Sequence, residues 1–150
     1  MKFNYKRYPN PNGITIERPV ILVTLRNPRA SSSAPGIRYE ALVDSGSDRC
    51  IFSAEIGELL DIDITATDKV MHVGGVVAGQ RRPLYMHPVE IQIGDDRAPS
   101  FEVQVGFMPD FSKSGHGLLG RNGFFDQFSF VKFRDFDCEI EIGKLRLDRY

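Results

Sequence analysis

Ala41-Leu42-Val43-Asp44-Ser45-Gly46-Ser47-Asp48 is an apolar, strand-like run that stops at a carboxylate set in a Ser-Gly turn. A carboxylate at a strand end can be fixed by backbone donors of the turn that follows, and Gly46 permits a close backbone approach. The Ser45 hydroxyl supplies a donor for a neighbouring carbonyl or for a partner chain. The motif occurs once in the sequence. A single carboxylate does not serve as both acid and base of a hydrolytic site. If Asp44 is catalytic, the functional unit is therefore a symmetric dimer in which two copies of Asp44 face each other. Asp-Ser-Gly is also a commonplace turn, and short motifs often arise by chance.

Around this run the pattern is β. Upstream, Pro19 to Leu25 is rich in β-branched residues and bounded by prolines, and Arg38 to Val43 forms a second strand. Between them, the Ser-, Pro- and Ala-rich segment from Asn27 to Gly36 predicts a hairpin tip. Downstream, Ile51-Phe52 resumes an apolar strand, and Ser53 is placed to cap a short helix through Leu60. Val70 to Gln80 reads as a glycine-punctuated hairpin. Leu84 to Ile93 and Phe101 to Val105 alternate as strands, with Glu102 and Gln104 turned outward. Gly117-Leu118-Leu119-Gly120 is a short apolar strand leading into a short helix over 121–128. The tail gives strands over Phe128–Phe133 and Cys138–Ile142, and Gly143 turns into Lys144–Leu147. These readings predict one domain over 1–150: an all-β, small, closed or nearly closed barrel with one or two short helices. The core is expected over about 17–128, with an N-terminal extension and a C-terminal β tail.

Bulk composition narrows the function classes. A chain of 150 residues is long enough to bury a real core. Its 19 Lys and Arg against 20 Asp and Glu are interspersed, which argues against a nucleic-acid binder that must neutralise phosphates. Cys50 and Cys138 lie far apart with no metal-ligand neighbours, so neither a metal nor another cofactor is expected. Cys50 reads as a small packed residue, and a disulfide between the two remains open. His72, His87 and His116 are dispersed, which favours surface or packing roles. No secretory signal is visible, and no segment approaches the roughly 18 consecutive apolar residues of a membrane span. A soluble, cytoplasmic protein is expected.

Leu42-Val43-Asp44-Ser45-Gly46-Ser47-Asp48 resembles the active-site segment of the retropepsin-like (retroviral-type) aspartic proteases, clan AA, in their single-motif homodimeric form. Glu17-Arg18-Pro19-Val20 is similar to the strand that precedes it in that family. Val73-Gly74-Gly75-Val76-Val77-Ala78-Gly79 resembles the glycine-rich flap that closes over substrate. Gly117-Leu118-Leu119-Gly120-Arg121-Asn122 resembles the family's apolar-apolar-Gly-Arg-Asn/Asp segment. The four matches stand in the family's order over roughly residues 17 to 128. The long Asn27–Gly36 loop, the N-terminal extension and the tail beyond Phe128 depart from the viral enzymes, whose chain termini build much of the dimer interface.

The resemblance implies an acid-protease barrel and an aspartic endopeptidase that acts as a homodimer on a polypeptide substrate, with Asp44 catalytic and Ser45, Gly46 and Ser47 supporting it. Two Asp44 carboxylates would share one proton, since like charges in contact do not both ionise cheaply. Many viral enzymes have Ala where this chain has Ser47, and a hydroxyl there is expected to donate to the ionised carboxylate and favour its charged form. The resemblance also implies an ion pair between Asp48 and Arg121 that braces the site, expected to be buried. The competing reading is a retropepsin-like dimerisation or peptide-binding module without cleavage. A structural barrel carrying a chance motif would have to explain all four matches.

Overall fold

The run that ends at Asp44 has one face inside and one face outside a closed sheet. Ala41 and Val43 are buried, while Leu42 and Asp44 are half-buried, the period-2 signature of a strand lying between a core and a covered outer surface. The structure is a computed structural model that describes residues 1–75 and 79–146. Its elements are β1 (Lys2–Asn4), β2 (Lys6–Pro9), β3 (Thr15–Arg18), β4 (Val20–Arg26), β5 (Ile37–Val43), β6 (Ile51–Ser53), α1 (Ala54–Leu59), β7 (Val70–Gly74), β8 (Arg81–Ile93), β9 (Ser100–Met108), β10 (Gly117–Leu119), β11 (Val131–Arg134) and β12 (Glu139–Ile142).

The order β4-β5-β10-β6-β9-β8 closes through a β4–β8 pairing, so these strands form a barrel. Closure removes the free edges that an open sheet of this size would leave. Inside lie Val23, Leu25, Ala41, Val43, Phe52, Val89, Ile91, Val105, Phe107 and Leu119, all fully or almost fully buried. Most pairings are antiparallel; the two parallel ones are β5 with β10 and β6 with β9. The parallel match of Leu119 with Val43 brings the ends of β5 and β10 out at the same rim. β7 is added outside the barrel as the partner of the first half of β8.

Several elements differ from the sequence reading. Ser53 occupies the position before α1, but its hydroxyl makes no capping hydrogen bond. Ser53 is the buried last residue of β6, paired with Met108. The Glu55 carboxylate is held below its ordinary range by a hydrogen bond from its own backbone N–H, and secondarily by the Ser53 hydroxyl. The helix expected over 121–128 shrinks to a 3-10 turn at Phe125–Gln127. Gly123 adopts φ +104°, a left-handed conformation that ends helical geometry, and its N–H donates to the Asp126 carboxylate at 2.9 Å. In the tail, Cys138 sits at φ +51°, so β12 begins only at Glu139. After Gly143 the described chain makes one isolated bridge, Phe128 to Leu145, and Leu147 lies outside the described residues.

The N-terminal strands carry no pattern in the sequence. β1 pairs with β12, which pairs with β11. The inner face of this small sheet adds Ile140 and Ile142, both fully buried, to the barrel's own hydrophobic cluster, with Phe3 packed against it. The core therefore continues into the segment expected as a tail.

Candidate active site

Asp44 leaves β5 at the rim where β10 ends, and its N–H donates to the Leu119 carbonyl at 3.0 Å. The turn that follows reaches back to it. The Gly46 N–H donates to Asp44 Oδ1 at 2.9 Å, and the Ser47 N–H donates to the Asp44 carbonyl at 3.2 Å. One carboxylate oxygen is thus fixed by a backbone donor, and the side chain is half-buried. Ser45 and Gly46 are exposed at the turn's outer side.

The segment after the turn is laced to the segment after β10. The Arg121 N–H donates to the Ser47 carbonyl and the Asn122 N–H to the Asp48 carbonyl, both at 2.9 Å. The Asn122 side-chain amide donates to the same Asp48 carbonyl at 2.8 Å. Gly120 makes the lacing possible: a Cβ there would stand 2.3 Å from the Arg49 carbonyl oxygen and 2.5 Å from its carbon. Beneath the loop, Cys50 is fully buried, and that burial pushes its thiol up to about 12; a hydrogen bond from the Gly120 backbone opposes the shift only in part.

Two side chains depart from what the sequence implied. The Ser47 hydroxyl donates to the Arg49 carbonyl at 2.8 Å. Its single proton is committed there and not to the Asp44 carboxylate, because the turn folds the Arg49 carbonyl over the hydroxyl. Arg121 Nη2 lies 2.8 Å from Asp48 Oδ1, but the side chains are 64% and 74% exposed. Within one chain this is a surface ion pair, worth at most about 1 kcal/mol. It is not the buried pair expected.

The outer face of the barrel supplies a floor that the sequence reading did not identify. Pairing carries one face from Leu42 to Leu118, Ile51, Gly106 and Met86. Ile51, Leu84, Met86 and Met108 form a second buried cluster, separate from the barrel interior, with Val73, Phe111 and Leu118 packed against it. Leu84 crosses the space above Gly106, where a Cβ would meet its side chain at 2.3–2.5 Å. The signal was available in the alternation of Cys50, Ile51 and Phe52. All three are apolar, however, and their two destinations separate only when both faces are known to be covered.

Asp44 stands at one end of this floor and the β7–β8 hairpin at the other. Val73 and Gly74 belong to β7, Gly75 and Gly79 are exposed, and Val76, Val77 and Ala78 between them lie outside the described residues. Val73 pairs with Arg82, on the face shared with Leu84 and Met86. Among the described residues no group of three or more His, Cys, Asp or Glu is arranged to hold a metal. No described helix is long and apolar enough to cross a membrane.

No protein-family model and no curated protein sequence matches the chain. Among solved structures, it is similar to a retropepsin-like aspartic protease from Rickettsia conorii, with a TM-score of 0.55 and 17% identity over 95% of this chain and 89% of that one. The EIAV protease complexed with the inhibitor HBY-793 aligns with a TM-score of 0.39 and 18% identity, over 69% of this chain and 82% of that one. The first likeness, at its low identity, is one of fold.

Proposed function

With the retropepsin-like fold as premise, we propose that this chain is a single domain supplying half of an aspartic endopeptidase site, completed by a second copy across a two-fold axis. Two Asp44 carboxylates then face each other and share one proton. The ionised member takes a proton from a bound water as the water oxygen attacks the scissile carbonyl carbon. The protonated member donates to the developing oxyanion. Collapse of the tetrahedral species expels the amine, which receives the proton that the first aspartate took from water. The second aspartate recovers a proton from the hydroxyl as the carboxyl product forms. The β7–β8 hairpin closes over an extended polypeptide lying on the apolar floor, and main-chain hydrogen bonds hold that polypeptide. Asp48 and Arg121 brace the loop that carries Asp44.

The observation that carries this reading is the setting of Asp44: half-buried, with one carboxylate oxygen fixed by the Gly46 N–H, at the end of an apolar strip beneath a hairpin. A carboxylate that served only the turn would need neither the strip nor the hairpin. The test compares the chain with its Asp44→Asn variant on a diverse peptide library from acidic to neutral pH, with sedimentation of both. Cleavage by the unaltered chain alone, rising with its dimer content, is expected. Equal cleavage by both proteins would exclude the mechanism. Peptide binding without cleavage by either would identify a binding module.

A further inference from the structure

Arg49 sits beside the candidate site, and among the described residues its charge has no partner. It follows Asp48 directly and bridges Asn122, across the loop segment from Arg121. Cys50 and Phe52 point into the barrel and Ile51 joins the outer floor, so alternation places Arg49 on the outer face with Ile51. Arg49 is half-buried, and among the described residues no hydrogen bond or ion pair engages its guanidinium. The neighbouring cations differ. Arg121 has Asp48 at 2.8 Å, and Arg82, at the hairpin end of the same face, has Asp110 at 4.0 Å. The Arg49 guanidinium, with no partner among the described residues, is open to a bidentate, charge-assisted contact from an incoming carboxylate.

The apolar strip between Asp44 and the hairpin therefore ends, on the Asp44 side, at a cation with no partner among the described residues. We propose that Arg49 determines specificity beside Asp44 by binding the carboxylate of an acidic side chain, Asp or Glu, in a polypeptide that lies over Leu42 and Leu118, the half-buried members of that face. The substrate class is then an otherwise apolar stretch carrying one acid close to the reacting bond. This inference rests on the endopeptidase reading for the word substrate, but its binding step does not require that the bond be cut.

The test uses the full chain and short fluorescent apolar peptides with a single Glu, or Gln in its place, at each successive position. Binding is followed by anisotropy on the Asp44→Asn variant, and cleavage by the chain that retains Asp44. Arg49→Met and Arg49→Lys are made in both backgrounds, and sedimentation is recorded for each. At one position the Glu peptide is expected to bind about tenfold more tightly than its Gln twin, with the ratio falling as salt is added. Arg49→Met brings the ratio to about one, and Arg49→Lys keeps part of it. The proposal is overturned if no position prefers Glu, or if the preference survives Arg49→Met. It is also overturned if Arg49→Met alters sedimentation while leaving the preference intact, which would place the guanidinium in a subunit contact. Binding preference without any cleavage would leave Arg49's role standing and remove the endopeptidase reading alone.

Discussion

A methyl group on Gly120 would stand 2.3 Å from the Arg49 carbonyl oxygen, and the atoms it meets are backbone, which cannot rotate aside. Gly120→Ala is therefore expected to force the two laced segments apart and cost about 1–3 kcal/mol or more, as overpacking does. Urea unfolding would register this as a lower midpoint, and an unchanged midpoint would mean that the loop shifts freely. At this scale the sequence was informative where a residue type is nearly obligatory. Asp44 stands out because few residues make a turn-held carboxylate, whereas the close backbone approach expected at Gly46 is found at Gly120. The partner of the Ser47 hydroxyl was not legible. It is the Arg49 carbonyl two residues on, and the backbone path that folds it over the hydroxyl leaves no mark in the residue types. The exposure of the Asp48–Arg121 pair was likewise hidden, since a motif gives partners and not their depth.

The apolar floor and the β7–β8 hairpin act together as an element. Leu84 is fully buried beneath the hairpin and fills the space above Gly106. Leu84→Ala is expected to destabilise by about 2–5 kcal/mol through lost transfer energy and the cavity left behind. Chemical denaturation measures the loss, and an unchanged midpoint would mean that the site collapses around the smaller side chain. Strands such as β4, β8 and β9 could be read because β-branched residues and alternation run over many positions in each. The helix expected over 121–128 failed because periodicity does not register a left-handed glycine at 123. β1 is three residues long and polar on one face, so nothing local marks it. It becomes a strand only because β12 offers an edge and Phe3 can pack on the core.

Across the whole molecule, contacts join the N-terminal segment to the C-terminal hairpin. The Tyr5 N–H donates to the Cys138 carbonyl at 2.7 Å. The Glu17 carboxyl is held below its ordinary value of 4.5, first by a hydrogen bond from the Cys138 thiol and then by Arg7. A carboxyl depressed in the folded state stabilises it above the unfolded value, and that contribution is lost as pH falls through the folded value. Glu17→Gln lacks it, so the variant should unfold more readily than the parent at neutral pH, by a small margin at this exposed site. The two thermal midpoints should converge as pH falls below about 4.5. A gap that stays constant with pH would assign the loss to packing instead. The barrel and the rim where Asp44 emerges were legible in the sequence. Of the sheet that ties the two ends together, β11 and β12 fall within or overlap the stretches read as strands. The pairing of β1 with β12 was not legible, because the two lie at opposite ends of the chain and meet only after folding.

The central claim is that one site needs two chains, and subunit mixing tests it most directly. Chains with and without Asp44→Asn would be co-refolded at fixed total concentration, and cleavage measured against the fraction of unaltered chain. With one aspartate from each copy, activity follows the square of that fraction and falls to about one quarter in an equal mixture. A linear fall, to about one half, would mean that each chain cuts alone and would contradict the account.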